Sequence, residues 1–285
     1  ATYLKKEDYA SSFFHGGRNG TMSFDSYANA TDFDAYYGLD EYPNQEDFDG
    51  TWGVYDEEFF SFFNAELNAF KEPFFSGIFT LSSHHPYSIP AKHQSKFNKG
   101  KRPMENAIAY ADYSLKTFFE KAKTTSWYKN TLFIITADHT PNTKDKEYAL
   151  NVGQYSIPLL MHYPGDTLLS GVNYSYTQQT DILPFVLEYL NYQHAYFGYG
   201  SSRLMDNNAG FSIQYLNGVY QLIADDYILQ FSSEKTIALY DLKNDKAFKN
   251  DLKLKNPAIV KKLERKLKGV IQQYNNRVIN NELSE

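Results

Sequence analysis

Three strand-like runs in this chain each lead into histidine, and that repetition constrains the fold more than any other feature. One covers residues 9–15, ends in Phe14-His15 and continues as Gly16-Gly17. A second covers residues 73–81 and continues as Ser82-Ser83-His84-His85-Pro86-Tyr87. The third covers residues 130–137 and continues as Asp138-His139-Thr140. Runs this rich in aromatic and β-branched residues read as buried strands. In an open α/β sheet, ligands gather outside the carboxyl ends of the strands. If the strands are parallel neighbours, His15, His84 and Asp138-His139 share one rim. Asp138 and His139 suit a divalent metal, the carboxylate supplying charge and the imidazole a neutral nitrogen ligand. A strand ending in a polar turn, with Asp138 as a cap, is the competing reading. One histidine alone would not decide between them. Three at the same structural position favour a site.

The rest of the pattern is α/β, then α+β. A polar stretch over residues 18–53, crowded with Asp, Asn, Gly and Tyr, reads as a long loop region. Residues 56–70 read as a helix, with Phe59, Phe60, Phe63, Leu67 and Phe70 on one face. Pro103 sits where a helix starts, and an apolar stripe follows it to Ala122. A helix between the second and third strands implies a parallel pairing. Residues 156–163 read as another strand and residues 180–190 as a helix. Beyond them, residues 219–223, 227–231 and 236–240 read as a three-stranded antiparallel meander. Asn256-Pro257 opens a last helix carrying Ile259, Leu263, Leu267, Val270, Ile271 and Tyr274 at helical spacing. Of the remaining histidines, His93 falls in a lysine-rich loop and reads as exposed. His162, inside a strand, reads as a satisfied core residue.

Composition removes some classes of function. A net charge of −6 and a pI near 5.7 leave no basic footprint for nucleic acid. No apolar stretch reaches the roughly 18 residues of a membrane span. The absence of cysteine excludes disulfides. Aromatic residues at 17% exceed ordinary use and mean packing, or a surface that meets carbohydrate or lipid.

The ordered set of motifs resembles the alkaline-phosphatase/sulfatase superfamily, and within it the lipoteichoic acid synthase-like sulfatases. The matching segments are residues 14–25, Gly38-Leu39-Asp40-Glu41-Tyr42-Pro43, residues 52–57, residues 80–87, Asp138-His139 and Gln179-Thr180-Asp181-Ile182-Leu183-Pro184. The resemblance implies a mostly parallel sheet flanked by helices, with a small carboxyl-terminal antiparallel sheet and a long helix. It divides the chain into residues 1–212, a partial α/β domain, and residues 213–285, the meander and helix packed on it. It implies an enzyme that transfers or hydrolyses phosphoryl or sulfuryl esters on lipid-linked or glycan substrates, on the extracytoplasmic side of a cell membrane. A non-catalytic relative binding anionic glycans or lipids is the alternative.

Site residues follow from the same resemblance. Asp138 and His139 match metal ligands. His84 matches the histidine that contacts the transferred group, and His15 the other substrate-side histidine. The family's Trp and Arg just beyond the His15 position are Met22 and Phe24 here, and Arg18 and Asn19 are expected to take over substrate contacts. One divalent metal is implied: manganese is the family expectation, with magnesium, zinc and calcium as alternatives. The family's remaining metal-binding acid and its nucleophile precede the His15 segment. No catalytic nucleophile is therefore assigned in this chain; it is expected upstream of Ala1, in a missing amino-terminal part of the same protein. The chain alone is expected to be inactive. Without cysteine, a formylglycine made from cysteine is excluded.

Overall fold

β1 (Ala10–His15) is the middle strand of a three-stranded parallel sheet, between β2 (Ala35–Tyr37) and β3 (Phe74–Phe79). Phe14 lies opposite Tyr37 on one side and Ile78 on the other, and His15 lies opposite Phe79. The computed structural model describes residues 1–141, 143, 145, 148, 152–167, 169–202 and 210–283. The chain divides into two compact units, one of residues 1–133 with 161–169, the other of residues 134–160 with 170–285.

In the first unit, α1 (Thr2–Lys5) and α2 (Phe24–Ala30) flank β1 in sequence. α3 (Asp56–Ala69) is the long crossover from β2 to β3 within the parallel sheet, whereas α4 (Pro103–Ala122) leads from β3 to β4 (Phe133–Thr136), which, against what its position after a helix implies, does not pair with β3. Pro103 occupies the first turn of α4, where its missing N–H costs nothing. α3 buries Phe59, Phe60, Phe63 and Leu67, and α4 buries Ala107, Tyr110, Ser114, Phe118 and Ala122 at three- and four-residue spacing. Phe14, fully buried, joins these helices to the sheet. Its ring stacks on Tyr37 at 4.3 Å and takes the edge of Phe63 at 4.8 Å. Removing such a side chain costs about 3–5 kcal/mol. The hydroxyls of Ser12 and Ser76 satisfy one another at 2.7 Å across neighbouring strands.

Residues 18–53 hold more structure than a loop, since α2 and β2 lie inside them. β2 has only three residues, too few to set a period against the polar sequence around it. β4 is shorter than its apolar run, whose first residue, Asn130, belongs to a turn of 3-10 helix over Tyr128–Asn130. β4 pairs with β5 (Leu159–His162) in a separate two-stranded sheet.

In the second unit, α5 (Ile182–Tyr189) follows a short 3-10 turn, Gln179–Asp181. β6 (Phe211–Leu216), β7 (Val219–Ala224), β8 (Tyr227–Ser232) and β9 (Lys235–Asp241) form an antiparallel sheet in sequential order. The meander therefore has four strands, not three. Asn217-Gly218, Asp225-Asp226 and Ser233-Glu234 all take positive φ, the backbone of two-residue hairpins whose twist matches the strands. α6 (Pro257–Asn280) sets Leu263 and Leu267 into a core with Leu222, Leu229 and Leu239, all five fully buried. Among the described residues, no helix is long and apolar enough to cross a membrane.

Candidate active site

His15, the last residue of β1, is only 1% exposed. Phe24, at the start of α2, lies over its ring at 4.3 Å, and Phe79 packs at 5.8 Å. Its Nδ1 meets the Tyr36 hydroxyl at 3.3 Å. Burial disfavours the charged ring and pushes its pKa down to about 4. Burial, then the carboxylates of Asp25, Glu41 and Asp40, push the Tyr36 phenol up to about 12. Both groups are neutral at physiological pH. Phe24 and Phe79 thus help to close the ring off from solvent. The segment that leads into Phe24 is strained: Met22 and Ser23 hold positive φ.

His84 stands five residues past the end of β3, at the same carboxyl edge of the sheet as His15, and is exposed. Its ring packs against Trp52 at 4.3 Å. The His85 carbonyl oxygen accepts from the Trp52 indole N–H at 2.5 Å and from His84 Nδ1 at 2.8 Å. A bond to a carbonyl requires the proton on Nδ1, which leaves Nε2 of the neutral ring with its lone pair. Protonation of Nε2 turns it into a charged donor for an anionic oxygen. The loop is tied down from below. The Asp56 carboxylate accepts from the backbone N–H groups of Leu81 and Ser82, each at 3.0 Å. Asp56, Trp52 and Ser82 stand in the matched segments, but no local pattern marks their role, since their contacts link residues 25 or more apart.

The Asn19 amide donates to both Glu41 oxygens at 3.1 Å, and Glu41 also accepts from the Gly38 N–H at 2.7 Å. That amide is spent on holding the loop after β2. Arg18 is exposed, with its guanidinium 5.2 Å from the Phe48 ring centre.

Asp138 and His139 stand two and three residues past the end of β4, in the second unit. Asp138 Oδ1 accepts from the His139 N–H at 2.8 Å. His139 Nδ1 donates to the Thr140 carbonyl at 2.9 Å, which fixes the tautomer and leaves the Nε2 lone pair available. That Nε2 lies 3.5 Å from Asp138 Oδ2, and both side chains are more than half exposed. Gln179 donates to the carbonyls of Ala137 and Asp138 at 2.9 and 3.3 Å, and so holds the turn. A ligating histidine commonly spends its second nitrogen on a backbone carbonyl in this way. The oxygen and nitrogen donors fit a divalent cation. Among the described residues, no group of three or more acids or histidines gathers around one point.

Two other histidines differ from their sequence reading. His93 is largely buried, not exposed, because its Nε2 bonds Glu57 at 2.7 Å while Lys92 bridges Glu57 and Glu58. Against burial, which pushes it up, Lys92 and then His93 hold the Glu57 carboxyl below its ordinary value. His162 is satisfied, by the Tyr128 hydroxyl at 3.3 Å, but exposed, because β5 buries neither face fully.

Parallel strands that deliver histidines to their carboxyl edge, helical crossovers, and an antiparallel sheet with a long helix define an alkaline phosphatase-like fold. The sulfatase family model matches residues 1–192, and the chain belongs to that family of phosphate- and sulfate-ester enzymes. It is 23% identical over 198 residues to Lipoteichoic acid synthase 1 of Bacillus subtilis, covering 63% of this chain and 29% of that protein. The lipoteichoic acid synthase LtaP of Listeria monocytogenes superposes with a TM-score of 0.79 at 21% identity, over 98% of this chain and 72% of that one. An alkaline phosphatase superfamily protein of Vibrio parahaemolyticus gives 0.75 at 23% identity, over 99% and 68%.

Proposed function

We propose that this chain carries the metal- and substrate-binding part of an extracytoplasmic enzyme that transfers or hydrolyses phosphoryl or sulfuryl esters on lipid-linked or glycan substrates. The observation that carries the reading is the Asp138–His139 pair, with Nδ1 committed to a carbonyl and Nε2 turned beside a carboxylate oxygen. When bound there, a divalent metal, manganese foremost, would neutralise the anionic ester and lower the pKa of an attacking hydroxyl. In this reading the nucleophile and the remaining ligands come from elsewhere in the intact protein. His84 donates from Nε2 to a non-bridging oxygen, where charge grows in the transition state. Trp52 and the His85 carbonyl hold that ring in place, and Asp56 holds the loop beneath it. His15 stays neutral and buried against Phe24 and Phe79.

The intact protein tests the reading, assayed with manganese on an aryl phosphodiester and an aryl sulfate. One of the two should turn over, and His84→Ala should lower kcat/KM by about 100- to 1,000-fold. The buried His15 favours a second reading, a non-catalytic relative that binds anionic glycans or lipids. Binding of such ligands with no turnover of either ester would establish it.

A further inference from the structure

In the second unit, the motif Gln179-Thr180-Asp181-Ile182-Leu183-Pro184 holds an acid that the ester chemistry does not use. Asp181 is 3% exposed, and among the described residues it pairs with no lysine, arginine or histidine. A carboxylate in that position is tolerated only when its oxygens are met by hydrogen bonds. Backbone meets both. Oδ2 accepts from the Gln178 N–H at 3.0 Å, and Oδ1 from the Ser201 N–H at 2.8 Å. One acid therefore fixes the start of the 3-10 turn Gln179–Asp181 and ties it to a segment 20 residues further on.

The turn is held on two more sides. Gln178 Oε1 accepts from the Ile213 N–H of β6 at 3.1 Å. Gly200 lies so close to the Thr180 carbonyl that a Cβ there would collide with it. From this fixed turn the exposed Gln179 side chain reaches the Ala137 and Asp138 carbonyls, at 2.9 and 3.3 Å. Those carbonyls belong to the peptide planes on either side of the Asp138 Cα. One amide thus restrains both backbone dihedrals of Asp138. The Thr136 hydroxyl is also 3.3 Å from the Ala137 carbonyl, but its shorter bond, 2.9 Å, goes to Pro158. Past His139, Thr140 Oγ1 donates to the Gln154 carbonyl at 2.6 Å and holds the other end of the turn.

A cation at Asp138 and His139 meets only two ligand side chains. Its affinity then depends on keeping both donors in place before it arrives, and groups behind metal ligands commonly change affinity by roughly 10- to 100-fold. We propose that Gln179 and Asp181 are positioning residues for the metal pair. Asp181 orders the turn, and Gln179 carries that order to Asp138 and His139. The part that concerns metal rests on the function proposed above, and the ordering of Asp138 and His139 does not.

The test combines the His139 side-chain nitrogen shifts without metal, manganese broadening of the His139 signals, and the urea midpoint, all on this chain. In mildly alkaline, metal-free solution the unaltered chain should show the Nδ1–H tautomer, as the bond to Thr140 requires. Gln179→Ala should turn that into a mixture of tautomers and raise the manganese needed for half-broadening by about tenfold. Its urea midpoint should stay put, because Gln179 is exposed, and a merely structural residue would not divide the readouts in this way. Asp181→Asn should act on His139 in the same direction and lower the urea midpoint as well. If that buried variant fails to fold, Gln179→Ala decides alone. An unchanged tautomer in Gln179→Ala would overturn the proposal, and so would a loosened tautomer with an unchanged manganese midpoint. Sharp His139 signals under manganese in the unaltered chain, with a tautomer that still loosens in Gln179→Ala, would reject the metal and keep the ordered turn. Broadening at His139 with a tautomer indifferent to Gln179→Ala would do the reverse.

Discussion

Asp56 and Ser82 hold each other twice: the Ser82 N–H donates to the Asp56 carboxylate at 3.0 Å, and the Asp56 N–H donates to the Ser82 hydroxyl at 2.9 Å. The pair joins the first turn of α3 to the exit of β3, two residues before His84. Asp56 is 2% exposed, and its second oxygen finds no partner. Burial raises its pKa, against the bonds from Ser82 and Leu81 that favour the ionised form.

Asp56→Ala should therefore destabilise the chain by about 2–4 kcal/mol, because it strands the N–H groups of Leu81 and Ser82. Asp56→Asn keeps one acceptor oxygen and should lose much less. Urea denaturation separates the two, and equal losses would mean that the bonds to Leu81 and Ser82 contribute little.

Stability should fall in mild acid through His15. Its folded pKa, near 4, lies below the ordinary 6.5. Between those values the unfolded chain binds a proton that the folded chain refuses. The contribution is complete above pH 6.5 and disappears as pH drops to 4, amounting to at most about 3 kcal/mol. Phe24→Ala should open the ring to water and move its titration back toward 6.5, read by NMR. A His15 that already titrates near 6.5 in the unaltered chain would refute the closed arrangement.

Gly17→Ala tests the packing around the same ring. A Cβ there would stand 2.6 Å from His15 Cε1 and 3.0 Å from the Trp52 carbonyl oxygen. Neither the core ring nor the backbone can yield cheaply, so a loss of about 1–3 kcal/mol is expected. Trp52 fluorescence should shift with it. An unchanged melting temperature and an unchanged spectrum would contradict this.

Much of this architecture was legible because it is local. Apolar runs over residues 9–15 and 73–81, helical stripes after Asp56, Pro103 and Pro257, and histidines at the strand ends all show within a short window. β2 was not legible, since three residues carry no period. β6 was overlooked although Asn217-Gly218 marks its hairpin. Contacts between distant positions were invisible: Glu57 on His93, Phe24 on His15, Gln179 on the Asp138 turn, and Asp56 under His84. These contacts decide whether a histidine is buried, anchored or free to meet a ligand, and no periodicity encodes them.

The most direct test of the account is manganese titration of this chain, followed by paramagnetic broadening of its histidine resonances. Two side-chain ligands make a weak site, short of the roughly four of a complete transition-metal site, so binding should be far weaker than micromolar. The broadening should still centre on His139 and Asp138 and vanish in Asp138→Asn. Sharp His139 signals under manganese, with broadening centred on another group such as His93 and Glu57, would contradict the assignment of the metal to this pair.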